Sequence, residues 1–84
     1  KVPCRNLAYY ALEKGGNAAC VINAANEIAV AAFLRGEIRF VDIYRIIADT
    51  LQKVDFIANP DYEAYVATNA TARRIAQDII NNQK

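Results

Sequence analysis

The sequence predicts an all-α fold, an up-and-down antiparallel four-helix bundle. Three observations carry that expectation. Apolar residues recur at three- and four-residue intervals in four segments, glycine, proline and capping residues punctuate those segments, and no alternating strand pattern competes with them. The joining stretches are short, which favours antiparallel neighbours.

The first segment spans about 3–14. Pro3 is tolerated at a first helical position, Leu7, Ala8, Ala11 and Leu12 supply the spacing with Tyr9 and Tyr10 flanking the stripe, and Gly15-Gly16 stops it. The second opens with Asn17 as N-cap and closes at Arg35-Gly36, a cationic last turn followed by glycine at the expected position. The connection 36–40 places Ile38 and Phe40 between charged residues, where both are expected to plug the end of the core. The third helix runs from 41 or 42 to 53. Ile43, Ile46, Ile47, Thr50, Leu51 and Val54 form its apolar face, opposite Asp42, Arg45, Asp49 and Gln52, with Arg45 and Asp49 spaced as an i,i+4 pair. The last helix starts at Asn59-Pro60-Asp61, read as N-cap, N1 proline and an acid at the positive helix end. It aligns Tyr62, Tyr65, Asn69, Ala72, Ala76 and Ile79 on one face, and the polar tail 81–84 frays.

The 84 residues suffice for a single helical domain with one core. A chain of this size buries only roughly 60–65% of its extended surface. Yet 55% of it is hydrophobic, above the usual share of about 45–50%, so more apolar surface exists than one small core hides. A missing neighbour is the expected reason. Ten Lys and Arg against nine Asp and Glu leave a net charge of +1 without a basic stripe, which argues against nucleic acid as a partner. No segment reads as membrane-spanning, and a soluble cytoplasmic setting is expected. The chain lacks an initiator methionine and reads as a piece of a longer protein. Histidine is absent, removing the commonest general base and metal ligand. Cys4 and Cys20 lack zinc-site spacing, and a helical hairpin would set Cys4 about 15 Å from the turn where Cys20 lies, against a bridging limit of roughly 7 Å. They are expected to be reduced, buried thiols.

The most informative stretch is 18–34, an apolar run broken only by Asn23, Asn26 and Glu27. Their spacing puts the three on one helical face, a polar spot about one turn long. A helix that is apolar nearly all round belongs at a centre, so the second helix is expected to be the most enclosed. Buried amides and a carboxylate require partners, and a single carboxylate with two amides is a poor cation cage. Hydrogen bonds to loops or a neighbouring domain are the favoured reading, and Arg73 is preferred over Arg45 and Arg74 as the partner of Glu27. A small metal-binding protein centred on Glu27 is the competing reading. Gly15-Gly16 precedes a helix, as phosphate-binding loops do, but it follows a helix rather than a strand, and neither GxGxxG nor GxxxxGK occurs. The sequon Asn69-Ala70-Thr71 falls inside a predicted helix and is discounted. No catalytic, cofactor-binding or metal-binding residue is assigned, and Asn23, Asn26 and Glu27 are assigned a structural, docking role.

The motif NAANEIAVAAFL at 23–34 resembles the C-terminal domain of the 1-deoxy-D-xylulose 5-phosphate reductoisomerase family. Pro3-Cys4, Leu7-Ala8, Ala11-Leu12 and Gly15-Gly16 upstream, with Ile38-Arg39-Phe40, Asp42-Ile43 and Ala70-Thr71-Ala72-Arg73 downstream, extend the likeness; Val41 departs from it, where threonine is common. The resemblance implies a fragment of an oxidoreductase of non-mevalonate isoprenoid biosynthesis that forms 2-C-methyl-D-erythritol 4-phosphate. It implies NADPH and a divalent metal (Mg or Mn) for the full-length enzyme, a homodimer, and catalytic and dinucleotide-binding domains of the same chain as partners. This segment is then expected to be inactive alone and to brace the catalytic domain. The alternative is a free-standing helical interaction module that uses its tyrosines.

Overall fold

The computed structural model describes residues 13–83, and they are all-helical. Helices α1 (Ala18–Leu34), α2 (Phe40–Lys53) and α3 (Tyr62–Gln83) pack pairwise against one another. Among the described residues there are three helices rather than the four expected. Glu13 and Lys14 are helical, and the rest of the predicted first helix, with Cys4, Tyr9 and Tyr10, lies outside the described residues.

The direction of each helix follows from its neighbours. Val21 and Ala24, early in α1, cluster with Leu51 and Val54 at the end of α2 and with Ala72 of α3. Ala25, Ala29 and Ala32, later in α1, cluster with Ile43, Ile46 and Ile47 early in α2 and with Ala76 and Ile80 late in α3. Hence α2 runs antiparallel to α1, and α3 returns parallel to it. The packing sets large against small: α1 and α3 approach through alanines, and the isoleucines of α2 fill the space between them.

The apolar face expected for the third helix is observed, with Ile43, Ile46, Ile47 and Thr50 buried and Leu51 and Val54 packed at its edge. Thr50 satisfies its buried hydroxyl by donating to the Ile46 carbonyl at 2.7 Å. Arg45 and Asp49 pair at 3.8 Å. Three details differ from expectation. The helix starts at Phe40, and Asp42 is buried instead of facing solvent, because its carboxylate folds back to accept from the Arg39 backbone N–H at 2.9 Å. This is the acidic half of a capping box, on a residue that has no acceptor of its own to return. Ile38 plugs the core as expected, but Phe40 stands in solvent, since a helix beginning there rotates its side chain outward.

The ends of the other helices are set by similar chemistry. Gly36, at φ 78°, closes α1 in a Schellman motif: its N–H donates to the Phe33 carbonyl at 3.0 Å, and that of Glu37 donates to Ala32 at 2.9 Å. The start of α3 falls at Tyr62, past the expected Asn59 cap. Asp61 is the true cap, its Oδ1 accepting from the Ala64 N–H at 2.8 Å. The buried face of α3 is Thr68, Ala72, Ala76 and Ile80, while Tyr62 and Tyr65 are exposed.

Candidate functional site

The polar residues of this chain act at the seams between helices, and the strongest seam is centred on Asn17. Asn17 occupies the cap position of α1 but makes no capping bond with its side chain. Its side chain reaches across the fold. Nδ2 donates to the Asp55 carbonyl at 3.0 Å and to the Thr68 hydroxyl at 3.1 Å, while Oδ1 accepts from the Ile57 N–H at 2.9 Å. The Asn17 N–H donates to the Ile57 carbonyl at 3.0 Å, completing a strand-like pairing with the loop between α2 and α3. Asn17 is 1% exposed, so one buried amide ties the start of α1 to that loop through part-buried bonds and to α3 through a buried one. The sequence reading missed this role. The only local signal was a buried-capable Asn after a glycine pair, and its partners lie 38–51 positions away.

Gly16 makes the approach possible. Its φ is +58°, and a Cβ there would sit 2.2 Å from the Ile57 carbonyl oxygen. This also decides the phosphate-loop question. Two of the amides at this helix start are engaged, Asn17 with Ile57 and Ala18 with the Gly15 carbonyl at 3.2 Å, and a backbone carbonyl closes the Gly16 face. Gly15-Gly16 is a helix-to-helix turn.

Asn23, Asn26 and Glu27 do lie together on α1, but on its solvent side. All three are exposed, because α1 packs on α2 and α3 through 18, 21, 24, 25, 29 and 32 and leaves the opposite stripe open. Among the described helices α1 is still the most enclosed, as expected, packing on α2 and on α3 more extensively than those two pack on each other. Glu27 accepts from the Arg73 guanidinium, the partner preferred from sequence, and Arg73 Nε also donates to Asn69 Oδ1 at 3.2 Å. The residue of the discounted sequon thus steadies, from within α3, the arginine that links α3 to α1. Nearby, the Cys20 thiol points to the Tyr65 carbonyl at 3.7 Å. Burial pushes its pKa up and the Arg73 charge offsets only part of that, so the thiol is held protonated rather than activated. At the start of α2 the opposite holds: the Arg39 N–H lowers the pKa of Asp42 despite burial, and the guanidinium groups of Arg39 and Arg45, each 3.5 Å away, assist.

Among the described residues no three His, Cys, Asp or Glu side chains converge, and the one glycine-rich turn is closed. No described helix is long and apolar enough to cross a membrane. Fold and polar network together define a small helical packing domain, whose polar side chains join its own elements and whose open α1 face is unspent. Its family is specific: residues 1–75 match the model of the DXP reductoisomerase C-terminal domain, and the chain belongs to that family. It is 51% identical over 74 residues to the 1-deoxy-D-xylulose 5-phosphate reductoisomerase of Bacteroides fragilis, covering 88% of this chain and 19% of that protein. It is 46% identical over 76 residues to the same enzyme of Phocaeicola vulgatus, covering 90% and 20%. With that of Endomicrobium trichonymphae it shares 41% over 81 residues, covering 96% and 21%. The chain thus spans about a fifth of the length of these curated relatives. A free-standing interaction module is not favoured.

Proposed function

We propose that this segment is the noncatalytic helical domain of a reductoisomerase that converts 1-deoxy-D-xylulose 5-phosphate to 2-C-methyl-D-erythritol 4-phosphate with NADPH and a divalent metal. The observation that carries this reading is the family match over 1–75 joined to named relatives some five times longer. NADPH and metal are held by the dinucleotide-binding and catalytic domains of the same polypeptide, in a cytoplasmic homodimer. The 84 residues form one domain of the up-and-down, antiparallel four-helix class. Asn23, Asn26 and Glu27 serve as structural, docking residues. What supports their role is their exposure on a helix whose other side is fully packed. The segment alone is inactive and braces the catalytic domain.

The test is an NADPH-oxidation assay with 1-deoxy-D-xylulose 5-phosphate and Mg or Mn. It compares this chain, the enzyme truncated before Lys1, and the two mixed, each shown to be folded. Turnover only in the mixture is the expected result. Full turnover by the truncated enzyme alone would remove the bracing role. Within the intact enzyme, Asn26→Ala is expected to lower the melting temperature or turnover, and wild-type values for both would remove the docking role of that residue.

A further inference from the structure

Large apolar side chains gather in solvent at two places on the described surface. Around the loop after α2 and the first turns of α3 lie Phe56, Ile57, Tyr62, Tyr65 and Val66; there the Lys14 ammonium sits 4.7 Å from the centroid of the Phe56 ring and Ile57 is bound to Asn17, while Tyr62 stands in solvent. At the opposite end, the corner between α1 and α2, Leu34 is 76% exposed, Phe40 71% and Val41 66%, with Phe33 beside them. This corner is tied by its own contacts. Phe33 and Phe40 meet edge to face with ring centroids 5.7 Å apart, the Schellman turn fixes one flank, and the Arg39–Asp42 bond fixes the other.

We propose that the Phe33, Leu34, Phe40 and Val41 corner is the anchor by which this domain docks on the remainder of its own polypeptide, on a surface apolar at its centre with a carboxylate opposite Arg39. The proposal rests on the reductoisomerase reading above. Three observations favour that occupant. Four such side chains expose a patch on the order of a few hundred Å², well below the roughly 800 Å² per partner of a stable two-chain interface, so a second copy is not held by it alone. A covalently attached partner, in contrast, acts at an effective concentration in the roughly millimolar range, where a small preorganised patch suffices; the relatives carry about four-fifths of their length outside this segment. Arg39 supplies the polar rim, since its side chain is 79% exposed and reaches Asp42 only at 3.5 Å.

The test places a photocross-linker in the full-length enzyme, Phe40→p-benzoylphenylalanine, with Tyr62→p-benzoylphenylalanine as the control at the other end. Both native side chains stand in solvent in the domain, so neither change disturbs its core. Equal amounts of 14N- and 15N-labelled enzyme are mixed until native mass spectrometry shows that any dimer subunits have exchanged to the statistical isotope ratio, then irradiated and mapped by mass spectrometry. The expected result is same-isotope product joining position 40 to residues preceding this segment, roughly tenfold or more above position 62, as a persistent contact requires against transient encounter. Mixed-isotope product, product confined to this segment, or no excess over the control would each overturn the anchor. NADPH oxidation by the same unmodified enzyme separates the two readings. Turnover without the expected cross-link rejects the anchor alone, whereas the cross-link without turnover supports the anchor and rejects the reductoisomerase reading.

Discussion

Asn17 offers the sharpest perturbation in this domain, because its side chain makes three bonds where an N-cap would make one. Asn17→Ala strands the Ile57 N–H, the Asp55 carbonyl and the Thr68 hydroxyl together. Each lost bond is worth about 1 kcal/mol net, and a buried donor left unpaired costs about 1–3 kcal/mol, so the expected loss is roughly 2–4 kcal/mol. Losing a cap alone would cost about 1 kcal/mol. Against a total stability of roughly 4–12 kcal/mol for a chain of this length, the difference is readily measured by urea denaturation followed by far-UV circular dichroism. Asn17→Ser separates the mechanisms further: serine caps helices well but cannot span the loop and Thr68, so it should behave like alanine. Asn17→Asp should add a pH signature. Its carboxylate faces the Asp55 carbonyl, so burial and repulsion raise its folded pKa. The variant is then nearest to wild type below the unfolded carboxylate value of about 3.9, and it falls behind as pH rises towards its folded pKa. A loss near 1 kcal/mol in Asn17→Ala, with rescue by serine, would refute the reasoning.

Three further outcomes are expected. Gly16→Ala forces a side chain against the Ile57 carbonyl at positive φ and should cost at least about 2 kcal/mol; Gly15→Ala, also at positive φ but with open space around it, should cost only about 1–2, and equal losses in denaturant melts would contradict the close approach. Ile46→Ala should cost about 3–5 kcal/mol, the upper part of the usual range, because neighbouring alanines have no rotamers with which to fill the void. Asp42 carries a lowered folded pKa, so its contribution is present above the unfolded value and fades as pH falls through the folded one. The stability gap between wild type and Asp42→Asn should therefore be widest near neutrality and close on acidification, and a gap independent of pH would count against the charge-assisted bond to Arg39.

What could be read from sequence was what repeats locally. The face of α2 was legible because its isoleucines recur at helical spacing against charged residues, and the Glu27–Arg73 link was legible because small residues beside Arg73 allow close helix approach. The cap of α3 was misplaced by two residues, on Asn59, because Asn-Pro is a strong start signal, whereas Asp61, read as an acid of the first turn, places its oxygen over the Ala64 N–H. Asp42 was misplaced because helical periodicity assigns it to the polar face, whereas its position at the third residue of the helix turns it back to the N–H of Arg39. The role of Asn17 left no periodic trace at all. It joins residues 38–51 positions apart by backbone-like pairing, which no window of sequence contains.

Among the described residues, seven of the thirteen buried apolar side chains are alanine, and that has a consequence for precision. Alanine loses no rotamer freedom on burial, whereas each leucine or isoleucine in its place would give up about 0.5–1 kcal/mol of side-chain entropy. More to the point, an interhelical distance set by backbones and methyl groups has no alternative rotamer through which to drift. The far side of α1 is thereby held in register to within a fraction of a side-chain length, without slack to absorb a misaligned partner. A domain built this way transmits position better than it tolerates change, and enlarging any alanine of the seam should displace the exposed stripe long before it unfolds the bundle.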